Sequence, residues 1–130
     1  PEPALAELER AARLQPGQPV VAADAAKAAI RTGRLDRAEY WFEQTVARDP
    51  NGAKVLTESA LFFSQIGQPD RARELLTRFE ALGYGGSSSS SPWMVADRAY
   101  RELGEVTLAE RAATCWGTGG VQIPEDCGIS

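Results

Sequence analysis

Apolar residues recur three and four positions apart along most of this chain, the spacing of one buried face on a helix. The first such stretch holds Leu5, Leu8, Ala11, Ala12 and Leu14, with Glu2, Glu7, Glu9, Arg10 and Arg13 between them, and Pro16–Gly17 ends it. A second, from Pro19 to Thr32, offers Ala22, Ala25, Ala26 and Ala29 and closes at Gly33. The third places Ala38, Phe42, Thr45 and Val46 inward, with Tyr40 and Trp41 flanking, Asp36 expected as its cap and Pro50 as its stop. Leu56, Ser59, Ala60 and Phe63 mark a fourth helix, and Ala72, Leu75, Leu76 and Phe79 a fifth that opens on Pro69 and Asp70. Trp93, Ala96, Ala99 and Tyr100 set the sixth, and Ala109, Ala113 and Trp116 the seventh.

These helices repeat. GRLDRAEYWFEQTVARDP begins at Gly33, GQPDRARELLTRFEALG begins at Gly67, and GEVTLAERAATCW begins at Gly104. The same register slid back lands on Ala4 to Pro16. The serine-rich stretch YGGSSSSSP, residues 84–92, lengthens the last period and reads as a connector, since such residues bury no apolar surface. The chain therefore divides into a half repeat over 1–17, repeats over 18–52, 53–83 and 93–116, and a glycine-rich extended tail over 117–130. A second helix without its first at the amino end, in a chain opening on Pro1, leads us to expect further chain upstream.

A period of about 34 residues, with Ala4, Ala38, Ala72 and Ala109 at one small position and Leu8, Phe42 and Leu76 four residues on, resembles the tetratricopeptide repeat family. The best first-helix match is Leu56–Ser59–Ala60–Phe63; in Trp93–Ala96–Asp97–Tyr100, Asp97 departs at the small position, as Ala113 does at the bulky one. The resemblance implies an all-α fold, a right-handed superhelical array of about seven helices with first helices lining a concave, ligand-binding groove. Carried across, the groove positions are Lys27, Ile30 and Arg31; Lys54, Thr57, Leu61, Ser64 and Gln65; and Met94, Arg98, Arg101 and Glu102. The carboxylate clamp of chaperone adaptors would need asparagines there, and Asn51, the sole asparagine, falls in a loop.

Composition narrows the chemistry. A net charge of −4 argues against general nucleic-acid binding. Histidine is absent, and Cys115 and Cys127 form no CxxC pair, so a structural metal site is not expected and no cofactor is implied. No nucleophile has a plausible base, and the serine run carries no G-x-S-x-G elbow, so this segment reads as non-catalytic. Acidic side chains such as Glu39, Glu43, Asp70 and Glu74 read as helix-surface or capping groups. Among the aromatics, Tyr40 and Phe62 are expected to be partly exposed and the rest to sit in the core. Five of the fourteen basic residues fall at groove positions, which fits an acidic protein or peptide segment as partner; the alternative is that they decorate solvated helix faces. A disulfide between Cys115 and Cys127 would stabilise by about 3 kcal/mol, pin the tail over the last helix and place the domain in the periplasm or outside the cell; two free thiols would place it in the cytoplasm.

Three functional expectations follow. One is a non-catalytic scaffold for protein–protein interaction. The second is a soluble appendage of a larger membrane enzyme or assembly of the cell envelope (a polysaccharide polymerase, an oligosaccharide ligase or secretion machinery), joined to the membrane only through upstream chain. The third is a homodimer through the N-terminal half repeat, whose apolar flank lacks a covering helix.

Overall fold

The computed structural model describes residues 2–82 and 91–116, which form seven α-helices and no strand among the described residues. They are α1 (Glu2–Leu14), α2 (Pro19–Arg31), α3 (Leu35–Arg48), α4 (Ala53–Gln65), α5 (Pro69–Ala81), α6 (Ser91–Glu102) and α7 (Val106–Trp116). The chain divides into two compact units, one ending at Pro50 and one beginning at Asn51.

The α2–α3, α4–α5 and α6–α7 hairpins turn by the same device. Gly33, Gly67 and Gly104 sit at φ +75°, +83° and +76°, a left-handed conformation that costs a side-chain-bearing residue about 1 kcal/mol or more. The next residue then donates its amide back to the last helical turn: Arg34 to Ala29 at 2.8 Å, Gln68 to Phe63 at 2.9 Å, Glu105 to Tyr100 at 2.9 Å. This Schellman closure satisfies carbonyls that the helix end would otherwise leave open. Glycine spacing thus becomes hairpin spacing.

In the first unit, α2 packs against both α1 and α3. Five alanines of α2 are buried, so their neighbours approach closely and the bulk comes from Trp41, Phe42 and Val46 of α3. Trp41, which the pattern placed beside the stripe, is 1% exposed and belongs to the core. Leu14 does not: it is 74% exposed, at the last residue of α1 and two positions from fully buried Ala12. Asp36 is not the cap either. The N-cap position is Arg34, with no side-chain cap hydrogen bond, and Asp36 lies in the first turn, where it favours the helix dipole. Ala4 is exposed while Ala38, Ala72 and Ala109, read as its equivalents, are fully buried, each against the other helix of its hairpin.

In the second unit, α4 packs against α5 and α6, and α6 against α7. Contact on two sides explains why Phe62, expected at the surface, is 4% exposed beside fully buried Phe63. Leu56, Ala60, Leu75, Leu76 and Phe79 fill the α4–α5 hairpin, and Phe79 meets the Trp93 ring edge-on at 4.7 Å between centroids. Helix α6 begins at Ser91, so Ser91 and Pro92 belong to it and not to the connector; proline is tolerated in a first turn. The rest of the serine-rich stretch and the tail with Cys127 lie outside the described residues.

Candidate functional site

The helix faces that carry the expected ligand positions are those of α2 in the first unit and of α4 and α6 in the second. On α2, Ile30 is 42% exposed, Arg31 is exposed with no ion pair among the described residues, and Lys27 is half-buried with its own interaction. On α4, Lys54 and Gln65 are exposed and Leu61 is half-buried. Thr57 does not join them. It is fully buried, and its hydroxyl donates to the carbonyls of Ala53 at 2.9 Å and Lys54 at 3.2 Å, so its polar group is spent within the helix. Ser64 likewise donates to Leu61 O at 2.7 Å.

On α6, Met94 is 42% exposed, and Arg98, Arg101 and Glu102 are exposed. Asp97, out of place by family pattern, is 7% exposed and accepts a hydrogen bond from Arg101 Nε at 2.7 Å. The paired charge makes an acid tolerable at a position meant for a small residue, and it occupies one of the expected cations. Among the described residues Lys54 and Arg98 carry no ion pair, and Glu102, four residues from Arg98, carries none either. The basic character of this surface therefore rests on Lys54 and Arg98.

Pattern reasoning missed the polar knots beneath these faces. Glu9 Oε2 accepts from both Arg37 Nε and Trp41 Nε1 at 2.7 Å, and Arg13 stands 3.8 Å from Oε1. Burial alone would raise the Glu9 carboxyl, but the hydrogen bonds from Arg37 and Trp41, with the charges of Arg37 and Arg13, hold it below its ordinary range. The guanidinium groups of Arg13 and Arg48 lie over the Trp41 ring at 5.9 and 5.8 Å. Arg48 also donates to the carbonyls of Ala12 at 3.0 Å and Gln18 at 3.1 Å, closing the end of α1 and the turn after it.

The second unit repeats the theme. Glu80 of α5 accepts from the Tyr100 hydroxyl of α6 and from Arg111 of α7. Burial, then the adjoining Glu80 carboxylate, pushes the Tyr100 phenol well up, so it stays a donor. Period reading finds none of these links between helices, because the partners lie twenty to thirty-six residues apart.

Cys115, on α7, is fully buried and is not a free thiol. No group of three or more His, Cys, Asp or Glu residues able to hold a metal occurs among the described residues. No described helix is long and apolar enough to cross a membrane. The family model of the tetratricopeptide repeat, a family of generally non-catalytic protein-interaction scaffolds, matches residues 1–57. No curated protein and no solved structure shows a significant match to the chain.

Proposed function

We propose that this tetratricopeptide repeat chain is a non-catalytic scaffold whose α4–α6 surface binds an acidic segment of a partner protein. The observation that carries the reading is the pair of exposed cations, Lys54 and Arg98, without ion-pair partners among the described residues beside exposed Met94. Surface cations are ordinarily either solvated or paired; two unpaired ones on adjoining helices set up a local positive field on an acidic protein. The carboxylate of Glu102 opposes them at one end of α6, which makes the field local. Peptide-display selection against the wild type should enrich Asp and Glu, and the K54E/R98E double variant should lose that enrichment. Enrichment indifferent to the reversal overturns the proposal.

In the same reading Cys115 is bridged to Cys127, and the domain works outside the cytosol, in the periplasm or beyond it. Buried Cys115, which is not a free thiol, supports this. That setting also suits a soluble appendage of a larger cell-envelope enzyme or assembly, with chemistry elsewhere in its chain. Alkylation under denaturing conditions without reduction should add nothing to the mass; two added groups overturn the extracytoplasmic setting.

A further inference from the structure

We infer that the α4–α6 surface selects a segment in which an apolar side chain stands midway between two carboxylates spaced about four residues apart in extended chain. This rests on the acidic-segment reading and specifies it. Helix α4 packs on α6, and the repeat register makes Met94 the counterpart of Thr57 and Arg98 the counterpart of Leu61, so each pair shares a row across the two helices. Thr57 is fully buried, so the exposed member of its row is Met94. Lys54 lies before that row and Arg98 in the row after it.

From Lys54 to the Leu61 row is seven residues, about 10 Å at the helical rise. Crossing to α6 adds a lateral step of about 8–10 Å, so the two cations are anchored on the order of 13 Å apart. Extended chain advances about 3.3 Å per residue. Carboxylates about four residues apart therefore face the same way and meet both cations, and the side chain midway between them arrives over Met94 and half-buried Leu61. A thioether is suited to that contact because it adapts to the shape of the apolar group it meets. Arg101 adds little while Asp97 holds it.

Three short fluorescein-labelled peptides test this by anisotropy at low salt. One carries Leu between two glutamates at the stated spacing, the second has Ser for that Leu, and the third has Gln for both glutamates. The leucine peptide should bind about tenfold tighter than the serine peptide, equivalent to about 1.4 kcal/mol. M94S should erase that difference and leave the glutamate dependence intact, while K54E/R98E should remove the glutamate dependence. Equal affinity for the leucine and serine peptides, with M94S silent, overturns this inference and leaves the acidic-segment reading standing. Binding that ignores the glutamates, or no binding of any peptide, overturns both. Each altered residue is exposed, and circular dichroism verifies that the variants are folded.

Discussion

Removing the Glu9 carboxylate should weaken the first unit through Trp41 more than through the lost ion pair. Glu9 has a side chain 12% exposed and Arg37 one 31% exposed, so after Glu9→Ala the guanidinium can turn to water. The Trp41 indole cannot: the residue is 1% exposed and its Nε1–H has Glu9 as acceptor. Leaving a buried donor unsatisfied costs about 1–3 kcal/mol, and a hydrogen bond to a charged group contributes about 1.5–3 kcal/mol. These terms overlap, so we expect about 2–4 kcal/mol for Glu9→Ala. Glu9→Gln keeps an acceptor of similar reach and gives up the charge, for about 1 kcal/mol. The assay is urea unfolding by circular dichroism, with the Trp41 indole N–H resonance, assigned through Trp41→Phe, reporting on the first unit. A Glu9→Ala loss below about 0.5 kcal/mol, within the range of ordinary surface substitutions, refutes the reasoning. So does a Glu9→Gln variant as damaged as Glu9→Ala.

The folded-state carboxyl of Glu9 lies below its ordinary value of 4.5, so its contribution is complete above that value and lost as pH falls through the lower folded one. Stability of the first unit should therefore change little through Glu9 between neutrality and pH 5, then decline, and acid titration of Glu9→Gln should lack that part. Gly67→Ala meets no steric neighbour but keeps φ +83°, so about 1 kcal/mol should be lost, measurable by urea midpoint. Leu75→Ala, at a fully buried position, should cost about 2–5 kcal/mol in the second unit, read by thermal and urea unfolding. Asp97→Asn releases Arg101 from its charge partner and should tighten anisotropy-measured binding of a glutamate peptide a few-fold; unchanged affinity would mean Arg101 is held by more than that charge.

The helices were legible in the sequence because a stripe of apolar residues and a glycine or proline shortly past its end are local signals. The elements stand where those signals put them, save that α6 begins at Ser91 inside the expected connector, and Ala38, Phe42, Leu56 and Leu76 are buried as read. Errors arose where one face of a helix meets more than one neighbour. Phe62 looked superfluous to a single stripe and is buried because α4 has contacts on two sides. Thr57 sat at a family ligand position, yet a hydroxyl that returns to its own helix leaves nothing to offer. The knots at Glu9 and Glu80 were invisible for a different reason. Any of several acids could reach an arginine on a neighbouring helix, and only side-chain placement decides which does. For the binding surface, sequence supplied the cations but not their state: among the described residues Lys54 and Arg98 carry no ion pair and Arg101 does.

The alanine-lined α2 has a consequence for how this chain can vary. A position already occupied by a methyl group has almost nothing to lose by truncation, and at full packing density it has nowhere to put an added atom. Substitutions in α2 should therefore fail in one direction, by growth, whereas Leu75, Leu76 and Phe79 should fail by shrinkage. Drift would then leave opposite signatures within the core: a ceiling on side-chain volume along α2, and a floor under it at Leu75, Leu76 and Phe79.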